Sequence, residues 1–384
     1  MQYISLYIFL SYLSEGDRHS DNNLIDLIFA LIFGFLAGIL SGLMPGIHIN
    51  LISALVIAAL PLLSSYFSPI ALALFIIAMS ISHIFLDFIP SCFLGVPEGS
   101  TILSVFPAHR LLLKGRGYEA ARLSVLGSFL GIVTIAILTP IIFYLTKDFY
   151  PIIKDYIAYI LIIASIILII KDKRSRFFAF IIFSLSGILG LTVLTMPNLN
   201  QPLLPLLSGL FGISILTLSI LNNTKIPVQT NAYDKVSKKE TSKAVASGLV
   251  ASLLIGFLPG MTSSESAILA TSFFKRIKLR TYLILLGSIN SMVMVLSFIA
   301  VLSIAKARSG SAAAIQAIIK NLDYSQMFLF IIVSLIVAIP AAFLTLYLAK
   351  RASYLITKVN YRKLCLSVII LVFLLVSVIS GPLG

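Results

Sequence analysis

Residues 41–50 read SGLMPGIHIN, and residues 255–264 read IGFLPGMTSS. Each run sets a Pro-Gly pair, Pro45-Gly46 and Pro259-Gly260, inside an apolar stretch where a membrane helix would otherwise continue. Proline removes a backbone donor and clashes with the preceding turn, while glycine permits a reversal. The helix that restarts after the break begins within the membrane with N–H groups that lack intrahelical partners. Hydrocarbon offers those groups nothing. An anion satisfies them, helped by the positive end of the helix dipole. The residues after each break suit such a site, with His48 and Asn50 in the first run and Thr262, Ser263 and Ser264 in the second.

The composition around these runs belongs to a membrane protein. Of 384 residues, 59% are hydrophobic and only 11% are charged, against about 25% charged in a soluble domain. Mean hydropathy is +1.08. The formal net charge of +14 comes from Lys and Arg gathered in short loops, the pattern of the positive-inside rule. It gives no ground for a nucleic-acid partner. Cys92 and Cys365 form no metal-ligand spacing and no disulfide framework. Residues 1–13 have the length of a signal peptide but lack its basic start, so a retained, membrane-touching segment is expected over 1–23.

Apolar segments fall near 24–43, 50–65, 69–89, 119–145, 151–170, 177–196, 202–221, 244–258, 262–274, 281–304, 326–349 and 364–381. The segments 24–43 and 50–65, and again 244–258 and 262–274, are separated only by a Pro-Gly break. Two of these pieces are too short to span, which predicts hairpins that enter the membrane and return on the same side. Arg110, Lys114, Arg116 and Arg122 mark one cytoplasmic loop; Lys171, Lys173, Arg174 and Arg176 mark the next. Lys225, Lys235, Lys238, Lys239 and Lys243 precede the second hairpin, and Lys275, Arg276, Lys278 and Arg280 follow it. That hairpin therefore starts and ends in the cytoplasm, and counting spans back puts the first hairpin outside.

Setting Gly34 on Gly248 brings Ala37 to Ala251, Gly42 to Gly256, Pro45 to Pro259 and Gly46 to Gly260 without a gap. An odd number of spans separates the copies, so they run in opposite senses. Broken helices at matching places of an inverted repeat point to the site of a secondary transporter. The expected fold is all-α and polytopic, an inverted structural repeat with two re-entrant Pro-Gly hairpins and roughly 8–12 membrane segments. Its first half is 24–221 with hairpin 24–65. A basic cytoplasmic linker follows at 222–243, then a second half at 244–384 with hairpin 244–274.

Other polar residues carry two readings each. Glu265 stands three after Thr262, a capping-box spacing, and is equally a candidate for substrate or cation binding. Asn50 fits an ordinary cap as well as a ligand contact, and His48 fits a structural histidine as well as a proton carrier. His83 and Asp87 share a helix face, as a structural pair or as a proton relay. Glu98, Ser100 and Thr101 lie on a stretch broken by Pro90, Pro97 and Pro107, and either cap a helix or complete a site. Asn290 in GSINS sits early in a span. Arg308 lies against the positive-inside trend, as an anion contact or as a snorkelling side chain. Together His83, Asp87, Glu98 and Glu265 are the ion-coupling candidates. No HExxH, CxxC, GxSxG or Walker sequence is present, and nothing favours an enzyme or a bound cofactor.

GFLAGILSGLMPGIHINL and GLVASLLIGFLPGMTSSESAIL resemble the two Gly-rich Pro-Gly motifs of TctA-type permeases, the large membrane subunit of tripartite tricarboxylate transporters. VPEGSTILSVFPAHRLLLKGRGYEAARLSVLGSFLG is similar to the stretch between them. The resemblance runs over about 30–320, and the chain length and the KARSG stretch resemble the family's shorter archaeal branch. It implies a plasma-membrane permease for an organic anion, coupled to Na+ or H+, with both hairpins holding substrate. It also implies a solute-binding protein and a small membrane subunit as partners. The region VFPAHR lacks the acidic residue that bacterial members carry there, and Ile47-His48 stand where those members continue with Gly. A looser resemblance joins the paired Pro-Gly tips to polyprenyl-phosphate lipid carriers, whose phosphate headgroup suits a helix N-terminus equally well.

Overall fold

The computed structural model describes residues 20–44, 47–95, 102–171, 175–199, 202, 205–206, 208–257, 263–271, 274, 277–319 and 321–381. Among them the regular structure is entirely helical. The first half holds α1 (Ser20–Leu43), α2 (Ile49–Ala58), α3 (Leu60–Leu63), α4 (Pro69–Leu86), α5 (Phe88–Phe93), α6 (Ile102–Leu112) and α7 (Gly117–Ile153). Then come α8 (Ile157–Lys171), α9 (Arg176–Leu194) and α10 (Ser214–Leu221). The second half holds α11 (Lys238–Phe257), α12 (Ser263–Thr271), α13 (Leu279–Ile304), α14 (Gly310–Ile318), α15 (Tyr324–Ile356) and α16 (Tyr361–Ser380).

Seven stretches among the described residues are long and apolar enough to cross a bilayer: Leu24–Leu43, Pro69–Phe93, Gly117–Ile167, Arg176–Leu194, Leu279–Ile304, Tyr324–Ile356 and Tyr361–Ser380. Helix α2 is apolar but only 10 residues long, about 15 Å at 1.5 Å per residue.

The helix crossings follow from small residues. Lipid tails are as apolar as leucine, so helices in a membrane associate where small side chains let the backbones approach. Gly34, Gly38 and Gly42 recur every fourth residue on α1 and face α4. A Cβ at Gly34 would strike the carbonyl oxygen of Phe75, and one at Gly38 would strike Ser82 and the carbonyl of Met79. Helices α7 and α13 cross in the same manner. Gly127 abuts the Ile284 carbonyl, Gly287 abuts that of Ser124, and the Ser128 hydroxyl donates to the Gly287 carbonyl at 3.1 Å. Helix α4, whose residues are nearly all buried, and α13 form the centre of the bundle.

Helix α1 lies on α4 as α11 lies on α13; α4 contacts α14 and α15 of the second half, and α13 contacts α6 and α7 of the first. The repeat alignment is matched unevenly: Gly42 lies against Leu86 and His83, while among the described residues nothing stands near Gly256. Helices α11 and α12 pack on each other, whereas the main partner of α2 is α14.

Several boundaries differ from the sequence reading. The segments near 119–145 and 151–170 join through a 3-10 turn at Lys154–Tyr156 into one helical run. The apolar segment near 202–221 becomes a π-helical turn at Ser208–Ile213 followed by the short α10. The stretch 310–318, which carries no apolar run of spanning length, is a helix. Outer sides of α8 and α9 expose Ile163, Ile166, Phe177, Phe180 and Leu191, apolar surface suited to lipid. Cys92 and Cys365 are both buried and free.

The linker after α10 does not hang free. Residues 224–237 have no regular secondary structure and lie on the α6–α7 turn. That turn needs Gly115, whose φ of 75° few other residues adopt. Thr230 donates its N–H to the Gly115 carbonyl at 2.8 Å, and the Gln229 amide bridges the Leu112 carbonyl and the Gly117 N–H, each at 2.9 Å. The Arg122 guanidinium lies 3.6 Å from the centre of the Tyr233 ring. Buried Glu119 lies 2.6 Å from Arg116 as an ion pair through its Oε2, and its Oε1 accepts from Arg280 at 2.7 Å. Asp234 pairs with the same two arginines at 3.0 and 2.5 Å. Four charges thus join α7, the linker and α13.

Candidate functional site

Helix α2 starts immediately after the first Pro-Gly break. His48 is its N-cap, with extended backbone, and its Nδ1 accepts the Asn50 N–H at 3.2 Å. Capping by the imidazole leaves the Asn50 side chain free to reach beyond its own helix. Its Oδ1 accepts the Gly310 N–H at 3.1 Å. Gly310 is the first residue of α14, so the starts of two short helices, one from each half, meet at this point.

Serines line the seam between them. Ser309 caps α14, its Oγ accepting the Ala312 N–H at 3.1 Å while lying 3.0 Å from the Ser297 Oγ on α13. The Ser80 hydroxyl on α4 donates to the Ser311 Oγ at 2.8 Å, and the Ser53 Oγ on α2 stands 3.3 Å from the same atom. Ser53, Ser80 and Ser311 are fully buried. Helix starts each carry roughly half a positive charge. Two of them converge here with hydroxyls rather than carboxylates alongside, an arrangement that favours a bound anion.

Two titratable candidates of the first half, His83 and Asp87, lie on α4 beside this junction. The rings of His48 and His83 meet edge to face with centres 5.5 Å apart. His83 Nδ1 lies 2.9 Å from the Ser41 Oγ on α1. Asp87, one turn after His83, is buried where α4 ends. The chain therefore places His48 beside His83, with Asp87 one turn further along α4.

Not every sequence candidate joins this cluster. Arg308 is two residues from Gly310, but its guanidinium lies 5.5 Å from the Tyr150 ring centre, beside Lys306 at 5.3 Å. Asn290 is half-buried on α13. Pro45, Gly46, Glu98, Ser100, Thr101, Pro259, Gly260 and Thr262 lie outside the described residues. Ser263, Ser264 and Glu265 form the first turn of α12, and only their backbone is described.

Sequence reasoning missed Ser41, Ser53, Ser80, Ser309, Gly310 and Ser311. Only Ser309 left a signal, as a capping residue before the small-residue run GSAAA.

The model of the Tripartite tricarboxylate transporter TctA family matches residues 28–384, nearly the whole chain and both Pro-Gly runs. The chain belongs to the TctA family. It is 34% identical over 334 residues to an uncharacterized protein of Methanocaldococcus jannaschii, covering 86% of this chain and 82% of the relative. The archaeal relative agrees with the archaeal-branch resemblance read from the sequence. No solved structure matches. Membership, with seven apolar helices of spanning length, makes this TctA-family chain an integral membrane protein of a transporter family.

Proposed function

We propose that this TctA-family chain is a secondary active permease of the plasma membrane for an organic anion of the carboxylate class. The observation that carries the reading is the meeting of the α2 and α14 starts, joined by Asn50 and Gly310 at 3.1 Å. A carboxylate there lies against the positive ends of helices from both halves, so binding responds to their relative position. The matching packing of α1–α4 and α11–α13 supports an inverted repeat, in which α12 offers a second site from the opposite side. Alternation between the two sites is then a rocking of one half on the other around α4 and α13.

His48, His83 and Asp87 support coupling to H+, since they set groups that exchange protons and a buried carboxylate beside the anion site. Na+ remains the competing ion, and a solute-binding protein and small membrane subunit are the partners that the family implies. Proteoliposomes holding the purified chain test the proposal. Uptake of labelled citrate, or of smaller dicarboxylates, should require a pH or Na+ gradient. A flat response to the whole carboxylate panel under both gradients overturns it.

A second reading is transport of a polyprenyl-phosphate lipid. It is favoured by the exposure of Met44 and Leu55 on either side of the α2 start, 40% and 58% exposed, which leaves the site an apolar approach from the lipid side. Competition of such a lipid, but not of citrate, for binding to the purified chain selects this reading over the first.

A further inference from the structure

At the end of the bundle where α7 begins, a cavity of about 280 Å³ lies between the two halves. Its charged lining is Lys114, Arg116, Lys235, Lys278 and Arg280, with Glu240 among them. We propose that this cavity binds a phosphate group, of a lipid headgroup or of a free phosphate compound, at a place separate from the anion site of α2 and α14.

Charge carries the first part of the argument. Five cations line the cavity, and the carboxylates bonded to them are three: Glu119, Asp234 and Glu240. Arg116 and Arg280 share Glu119 and Asp234, and Lys278 pairs with Glu240 at 2.8 Å. Among the described residues Lys114 and Lys235 form no ion pair, and two positive charges are left in excess. A phosphate diester or monoester supplies one to two negative charges and several acceptor oxygens, enough to offset that excess. The starts of α7, α11 and α13 lie beside the cavity and add to the positive potential.

Shape carries the second part. Leu111, Val236 and Leu279 form an apolar wall next to the cations. Such a boundary between apolar and cationic lining suits a headgroup held at the membrane surface, and basic pockets between membrane helices bind anionic headgroups. The distance from the first site is large. Helix α7 runs from Gly117 at the cavity to Tyr150 beside Arg308, about 50 Å at 1.5 Å per residue. The phosphate site draws on the end of α6, the linker and the start of α13, so an occupant contacts both halves and stabilises their junction.

Thermal unfolding of the purified full chain tests this without any transport assay. One arm adds inorganic phosphate or pyrophosphate to the protein in detergent; the other compares nanodiscs of phosphatidylglycerol with nanodiscs of phosphatidylcholine. Saturable stabilisation is expected in at least one arm. The arm that responds identifies the source: the nanodisc arm alone a lipid headgroup, the soluble arm a free phosphate compound. In the double variant Lys114→Gln/Lys235→Gln the apparent affinity should fall by about thirtyfold. Both lysines are exposed, so the unliganded variant should melt where the parent does. The pair Lys350→Gln/Lys363→Gln, exposed but outside the cavity, should keep the response. No response in either arm, or an equal loss in both double variants, overturns the proposal. Because binding is read directly, a chain that transports no carboxylate can still pass this test.

Discussion

The Asn50 side chain of the first half accepts the backbone N–H of Gly310 in the second half, Oδ1 to N at 3.1 Å, across 260 residues of sequence. This bond holds two helix starts at one point. Asn50→Ala removes the acceptor and should weaken carboxylate binding about fivefold, the effect of one net hydrogen bond. Gly310→Ala acts from the other side, because a Cβ there would come 2.7 Å from the Asn50 Cγ. Calorimetric titration of both variants checks the pair. Should both bind as the parent does, the junction is structural only.

His83 and Asp87 are expected to separate coupling from binding. Asp87→Asn keeps the size of the side chain and removes its charge and its capacity to carry a proton. The variant should still exchange labelled substrate across the membrane at equal pH on both sides, while uptake driven by a pH gradient falls at least about tenfold. His83→Gln, which keeps a partner for Ser41, should show the same split. Equal loss of exchange and of gradient-driven uptake would contradict a coupling role.

The α7–α13 crossing tolerates no side chain at its closest points. Gly127 and Gly287 face main-chain carbonyls, which cannot swing aside as a flexible side chain can. Gly127→Leu and Gly287→Leu should each destabilise the protein by about 1–3 kcal/mol through overpacking. Gly187→Leu, on the exposed α9 with nothing within 4 Å among the described residues, serves as the neutral comparison. Fluorescence-detected melting in detergent reads the difference.

Glu119 is buried between Arg116 and Arg280 with no exposed side-chain surface. Glu119→Gln leaves two half-buried guanidinium groups facing each other and should destabilise the chain by about 3 kcal/mol. Asp234→Asn removes a carboxylate from the solvent side of the same pair, where screening is strong, and should have a much smaller effect. A reversal of that order in thermal melts would falsify the assignment of Glu119 as the central charge.

Asp234 also sets a pH dependence. The hydrogen bond from Arg116 holds its carboxyl below the usual carboxylate range, with the charges of Arg116 and Arg280 adding to the effect. Because the folded-state value is depressed, the contribution is present at neutral pH and is lost as pH falls through the folded-state value. The linker around 229–234 should then loosen in acid before the helices do. Limited proteolysis across a pH series should reveal cleavage within 225–237 at the acid end only, and Asp234→Asn should be cut at neutral pH as well.

What the sequence made legible is what depends on local pattern. Apolar runs placed the long helices. The Pro-Gly breaks located the start of α2, and His48 and Asn50 proved to stand at a junction. The rest depends on contacts between distant residues. Helix α14 is too short to register as a membrane span, and takes its hydrogen-bond partner from Asn50. Ser53 and Ser80 look like any hydroxyl in an apolar helix, where the usual partner is the preceding turn; the Ser80 Oγ indeed also lies 2.7 Å from the Ile76 carbonyl oxygen. The polar linker read as a simple connection, because its order comes from Gly115 and Leu112, more than a hundred residues earlier.

Cys92 and Cys365 are both enclosed by neighbouring side chains. Water-soluble maleimides therefore have no native sulfur to attack while the protein is folded, and the unaltered chain already serves as a quiet background for site-directed labelling. Reporter thiols introduced by Pro45→Cys and Pro259→Cys can be read from either face of a sealed vesicle without first rebuilding the interior.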